Sequence, residues 1–183
     1  MRWLLVVVIW LAGCAAHHQE GYAPEGVRYY PLLSPSSYGG VLILEQLLEG
    51  WAKGEQFQLH LQLEIDPGQL RVVGFTAFRT KAFALRYDGR TIEFENFTDR
   101  RMPFPPAMIL SDIQKVLWPT LPDREEWHIV DDPATKTRRV FFDGRLMTRI
   151  QYHAGFPTDG DAELSDLQYG YRLYVRILNR WGG

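Results

Sequence analysis

Five apolar residues, Phe57, Leu59, Leu61, Leu63 and Ile65, alternate with Gln58, His60, Gln62 and Glu64. A period of two sends successive side chains to opposite faces, so this segment is predicted as a strand with one apolar and one polar face. An alternation this regular commits the chain to a half-buried sheet. Asp66-Pro67-Gly68 supplies turn chemistry, and Leu70–Gly74 resumes as a second strand. Lys81–Tyr87 and Arg90–Phe97 flank Asp88-Gly89, and Arg138–Phe142 and Arg145–Tyr152 flank Asp143-Gly144. Each Asp-Gly pair predicts a two-residue type I′ hairpin, because both central residues need positive φ. Tyr169, Tyr171, Leu173, Val175 and Ile177 share one side of a last strand, with Arg172 and Arg176 opposite. Val41–Trp51 has the length of a helix or a strand, and is read as a strand paired with 55–65.

One helix interrupts the strands. Pro105 and Pro106 suit its start and Pro119 its stop. Ile109, Ile113, Val116 and Leu117 recur at helical spacing as the stripe expected to be buried, with Ser111, Asp112, Gln114 and Lys115 as its polar flank. Strands, one inserted helix, then more strands predict a mainly β fold. The expected form is a curved antiparallel half-barrel with the helix over its concave face, and a two-sheet sandwich is the rival.

The N-terminus has a different character. Arg2 precedes the apolar run Trp3–Gly13, which is too short for the roughly 20 residues of a membrane span. Its length and flanks suit a secretory signal. Leu11-Ala12-Gly13-Cys14 resembles the lipobox of bacterial lipoproteins, which implies cleavage before Cys14 and a covalent N-terminal lipid there. Cys14 is the one cysteine of the chain, so no intrachain disulfide is possible, and lipidation accounts for the lone thiol. Two or more acyl chains anchor stably where one does not. The chain is accordingly divided into a signal peptide (1–13), a lipidated tether (14–40) and one β-rich domain (41–183). Tyr29, Tyr30, Leu32 and Leu33 are candidates to dock the tether's later part.

Chemistry is sparse. The formal net charge is −2, so nucleic acid is not an expected partner. No Gly-x-Ser-x-Gly elbow and no glycine-rich phosphate loop precedes a helix. His17 and His18 belong to the tether, His60 to a polar strand face, and His128 and His153 stand singly without metal-ligand spacing. Asp131-Asp132 and Glu125-Glu126 are adjacent carboxylates, which a strand sends to opposite faces. Arg79, Arg100, Arg101, Arg138 and Arg139 read as solvated strand ends and turns. Neither an enzyme, nor a metal site, nor a cofactor beyond the lipid at Cys14 is expected.

The lipobox, the strand pair around 55–65, the Phe75–Tyr87 segment, the helix before Pro119 and the last strand near Asn179-Arg180-Trp181 together resemble a family of bacterial lipoproteins known as a domain of unknown function. Behind that family they resemble the LolB and LolA outer-membrane lipoprotein receptors and carriers. The resemblance implies a half-open barrel that binds acyl chains or a lipidated cargo in an apolar hollow, without covalent chemistry. Ile109, Ile113, Val116 and Leu117 would then line or cover the hollow. Phe78 in Ala77-Phe78-Arg79-Thr80 matches the apolar tip of a membrane-facing loop, with Phe75 as its neighbour, although the proline of the LolB loop is absent. A periplasmic LolA-like carrier is the implied donor. Ala15 stands where Asp resembles an inner-membrane retention signal, which implies the inner leaflet of the outer membrane. A structural or assembly lipoprotein with a filled interior is the alternative, and an envelope lipid hydrolase a third.

Overall fold

The computed structural model describes residues 27–52, 54–99, 102, 104–156 and 161–182. Cys14, His17 and His18, with the signal and the first part of the tether, lie outside the described residues. Ten strands form a single antiparallel sheet. In chain order they are β1 (Leu42–Ala52), β2 (Glu55–Asp66), β3 (Gln69–Phe75), β4 (Lys81–Tyr87) and β5 (Ile92–Asn96), then β6 (Trp127–Asp132), β7 (Thr137–Phe142), β8 (Arg145–Tyr152), β9 (Ala162–Asp166) and β10 (Tyr171–Gly182). Their spatial order is β5-β4-β3-β2-β1-β10-β9-β8-β7-β6. Two five-stranded meanders therefore meet where β1 pairs with β10. The helix α1 (Pro106–Leu117) lies in the connection between their outer strands. β5 and β6 remain unpaired with each other, so the half-barrel does not close.

The alternation that opens the sequence is visible in the pairing. Leu44, Leu63, Val72 and Leu85 stand side by side across β1 to β4 and are all buried. Gly50 faces Phe57 and Gly74 faces Phe83 on neighbouring strands. A Cβ on either glycine would collide with the opposite ring. Each ring therefore folds down over a bare backbone, a device that fills the interior while letting the sheet bend.

Turn chemistry separates the two Asp-Gly sites. Asp143 and Gly144 have φ of +48° and +70° and form the expected two-residue loop between β7 and β8. At Asp88-Gly89 only the glycine has positive φ. The Asp88 carboxylate accepts the N–H groups of Arg90 and Thr91 at 2.8 and 2.7 Å, so the loop runs on to Thr91 and β5 starts later than expected. β9 is not among the expected strands, and β6 is expected only as a strand-like stretch around Asp131-Asp132.

The domain also begins earlier than residue 41. The segment 27–38 packs against the interior, with Tyr30 and Leu33 buried. The Tyr30 hydroxyl donates to Pro122 O at 2.5 Å, and its ring meets Trp127 edge-on. The Gln114 side-chain amide pairs with both backbone groups of Leu33, each at 2.8 Å. Trp118 Nε1 donates to Ser37 Oγ at 2.8 Å. The later tether is thus a strap docked across the helix, with Tyr30 and Leu33 of the four docking candidates buried.

Candidate functional site

Helix α1 has the expected bounds, but its orientation differs from the expectation. Ser111, Asp112, Gln114 and Lys115, read as the solvated flank, are all buried. Val116 and Leu117 are buried as expected, whereas Ile109 and Ile113 are only half-buried. The polar side faces inward because β7, β8 and β10 supply partners that a local pattern does not reveal. Lys115 Nζ lies 2.7 Å from Asp112 Oδ1 and donates to Thr148 Oγ1 at 3.2 Å. The Tyr171 hydroxyl donates to Asp112 Oδ2 at 2.5 Å. Burial, then the Asp112 charge, holds the Tyr171 phenol protonated far above its usual range. Asp166 sits near the same charges. Burial raises its carboxyl above the ordinary value, against the opposing pull of the Tyr169 N–H and Lys115.

Arg138 is the largest correction. Read as a solvated strand end, it is fully buried and all five of its N–H groups are engaged. Nε and Nη2 fork onto Asp131 at 2.7 and 2.8 Å. Nη1 donates to Lys115 O and Trp118 O at 2.9 and 2.8 Å, and Nη2 to Pro119 O at 3.2 Å. The last turn of α1 leaves carbonyls without intrahelical partners, and a cation there also complements the helix dipole. Burial opposes the Arg138 charge, but the Asp131 carboxylate overrides it and the pKa rises. The Tyr152 hydroxyl adds a bond to Val116 O at 3.0 Å. Arg139, its neighbour, is half-buried, and Arg79 is exposed. Arg100 and Arg101 are outside the described residues.

The Phe75–Thr80 segment closes with Thr76 N–H on Thr80 O and Arg79 N–H on Thr76 O, both at 2.9 Å. Phe75 ends β3 half-buried, and Phe78 tops the loop at 92 % exposure. The two aromatics thus have different surroundings. A cavity of about 610 Å³ opens near the β9–β10 turn, where Trp51 and Leu167 share its walls with Ser165, Arg172 and Tyr174.

The histidines are scattered. His60 is half-buried on β2, His153 follows β8, and His128 Nδ1 lies 2.7 Å from Asp123 Oδ2 at the surface. Among the described residues no group of three or more His, Cys, Asp or Glu side chains could hold a metal ion. Among them, too, no helix is long and apolar enough to cross a membrane.

A search of curated proteins returns no match. Among solved structures the chain is similar to a candidate outer membrane lipoprotein-sorting protein domain from Vibrio parahaemolyticus, with a TM-score of 0.44 and 10% identity over 78% of this chain and 85% of that one. It is also similar to a DUF1329 family protein from Desulfovibrio piger, with a TM-score of 0.38 and 10% identity over 80% of this chain and 92% of that one. Both likenesses are distant. A family model described as a protein of unknown function, DUF3261, matches residues 44–179, a span that reaches from β1 to β10 and includes α1, Arg138 and the Phe78 loop. The chain belongs to the DUF3261 family.

Proposed function

We propose that this chain is a lipid-anchored envelope protein that binds acyl chains, of a lipid or of a lipidated cargo, against the apolar half of its sheet and passes them on without covalent chemistry. The observation that carries this reading is the division of the concave face. The β1–β5 half offers a continuous aliphatic wall through Leu44, Leu63, Val72 and Leu85, while α1 is fastened to the β6–β10 half by polar contacts. A cover whose bonds to the sheet lie on one half, and which the other half meets through the strap at Leu33 and Ser37, can part from the wall there and keep its anchorage. Exposing an acyl chain to water costs about 0.8 kcal/mol per CH₂, so a carrier needs an apolar wall of this kind and no catalytic group. In this reading acyl chains on Cys14 hold the protein on the inner leaflet of the outer membrane, a LolA-like periplasmic carrier is the donor, and Phe78 touches the bilayer during delivery.

A structural or assembly role is the second reading. It is favoured by the filling of the interior with the protein's own side chains, among them Tyr30, Leu33, Leu110 and Trp118. Native mass spectrometry of protein isolated without detergent separates the two. A co-purifying lipid mass is expected for a carrier, and a clean apo mass would leave the structural role. Delivery is tested with Phe78→Glu. Because the side chain is almost fully exposed, folding should be unchanged, while transfer of lipid into liposomes should fall about ten-fold or more, from the loss of roughly 1.5–3 kcal/mol of insertion. Transfer at the parental rate would remove the loop from the mechanism. Turnover of labelled lipid by the protein would replace both readings with a hydrolase.

A further inference from the structure

The apolar wall of β1 and β2 contains one buried polar side chain. Leu42, Leu44, Gln46 and Leu48 project inward from β1 at a spacing of two, and Gln46 is 3% exposed. It faces Leu61 on β2 and Ile177 on β10. The pairing of β1 with β10 slips between Glu45 and Gln46 and leaves Leu178 unmatched, but β1 keeps its alternation through the slip. Gln46 therefore stays on the inner face. Its Nε2 has no hydrogen-bond partner among the described residues.

Burial of the wall changes at this residue. On one side of Gln46 the cross-strand pair Leu44–Leu63 is sealed, at 0% and 1% exposure. On the other side Leu48 and Leu59 form a pair in which both are half-buried, and Phe57 beyond them is half-buried too. The amide stands at the border between the closed part of the interior and the part that solvent reaches, toward the β1–β2 turn.

A buried N–H without an acceptor is destabilising, and an apolar side chain of similar shape would complete the wall without that cost. A donor kept at this border calls for an acceptor that arrives with an apolar ligand. The surroundings select its chemistry. Plain hydrocarbon offers no acceptor. A carboxylate would bring an unpaired charge among Leu44, Leu48 and Leu61 beside a neutral amide, which is expensive. Arg180, which stands opposite Leu44, is already engaged. The carbonyl of an ester or amide is a neutral acceptor built into the end of a hydrocarbon chain.

We propose that Gln46 recognises the acyl carbonyl of the bound ligand, its Nε2–H donating to the ester or amide oxygen while the hydrocarbon lies on the leucines of β1 and β2. The proposal rests on the carrier reading and adds a substrate class to it: acyl esters and amides, as against alkyl ethers, plain hydrocarbons and free fatty acids.

Ether lipids test it, since they keep head and chains and lack the carbonyl. The full lipidated protein is reconstituted into nanodiscs that hold equal amounts of a diacyl phosphatidylglycerol and its dialkyl ether analogue of the same chain length. Native mass spectrometry of protein released from the discs reads which lipid stays bound. The diester should be retained about ten-fold over the diether, the scale of one hydrogen bond made in an apolar site. Gln46→Met keeps the length of the side chain without the donor, and should retain both lipids equally. Equal retention by the parent, or a preference that persists in Gln46→Met, overturns the proposal and leaves the carrier reading standing. Retention of neither lipid by the parent ends both.

Stability gives a second readout. An amide without an acceptor in the unliganded protein predicts that Gln46→Met unfolds in urea no earlier than the parent. An earlier midpoint would mark Gln46 as a structural key to the register slip and overturn the proposal. A diacylglyceryl lipopeptide added to the parent discs identifies the source of the carbonyl. It displaces the diester if the cargo is a lipidated protein and leaves it in place if the cargo is a phospholipid, and either result with the ester preference intact supports the proposal.

Discussion

The two halves of the sheet line the same interior with different chemistry. Between β1 and β5 the inward residues are mostly Leu, Ile, Val and Phe, with Gln46 the one buried polar side chain among the described residues of those strands. Between β6 and β10 the inward set includes Arg138, Thr148, Tyr152, Asp166 and Tyr171. The first half excludes water and is indifferent to the exact position of what covers it. The second half specifies that position, because a buried ion or hydroxyl must meet its partner or lose the free energy of solvation. The lesson is a division of labour. One half supplies an apolar wall, and the other fixes the helix that stands over it.

Removing the main fastener should break this contrast most severely. Arg138→Ala strips five hydrogen bonds and leaves Asp131 and three carbonyls unpaired. The expected loss is about 5 kcal/mol in urea unfolding, mainly from three carbonyls orphaned at about 1–3 kcal/mol each, since Asp131 itself is exposed to water. A loss below about 1 kcal/mol, the scale of an exposed pair, would mean that the β6–β10 half does not hold the helix.

The contrast can also be erased rather than broken. Lys115→Met alone leaves Asp112 buried without its ion-pair partner, and is expected to cost about 3 kcal/mol. Adding Asp112→Leu removes the orphaned charge, and the double variant should recover part of that stability, because apolar replacement of a buried pair is often neutral or favourable while the Tyr171 hydroxyl loses its acceptor. If the double variant is no better than the single one, the pair is more than a positional key.

The smallest effect is one of pH. A carboxyl whose pKa is raised on folding adds stability below its unfolded value, and that stability is lost as pH rises through the folded value. Asp166 is such a group. Asp166→Asn keeps the oxygen that accepts the Gln168 and Tyr169 N–H groups and discards the buried charge. Thermal melts should therefore show the variant above the parent at neutral pH, by less than either effect above. The gap should close as pH falls into the carboxylate range. A gap that widens toward acid would reverse the sign assigned to this group.

The sequence made the apolar half legible and the polar half mostly not. Phe57 to Ile65 announces its strand because alternation is a local property, and Pro105, Pro106 and Pro119 bound α1 for equally local reasons. Asp143-Gly144 forms its tight turn, whereas Asp88-Gly89 does not, because the Asp88 carboxylate finds backbone donors two and three residues on. β9 escaped notice because Glu163 and Ser165 leave only Ala162 and Leu164 as apolar signal in five residues. Arg138 stands beside Arg139 and reads as a solvated pair. Only its alignment with the end of α1, 20 residues away, makes it a core residue. The inward turn of Asp112 and Lys115 depends on Tyr171 and Thr148 in the same way. The exposed tip at Phe78 was expected only through the resemblance to the LolB loop, because Phe75 and Phe78 among small and polar residues fit two core aromatics equally well.

The central pairing of β1 with β10 has a kinetic consequence. Residues 42–51 must wait for residues 172–182 before the middle of the sheet exists. Each meander can zip locally, hairpin by hairpin, but their union closes a loop of more than a hundred residues and is expected to be the slow step. During N-to-C emergence in synthesis, β1 would stand as an edge with Leu42, Leu44 and Leu48 on one side and an unpaired backbone ladder along its length until the last strand arrives. Such an edge is a template for pairing with other chains. Refolding yield should therefore fall steeply with protein concentration, and a truncation before Tyr171 should aggregate rather than persist as a half-sheet.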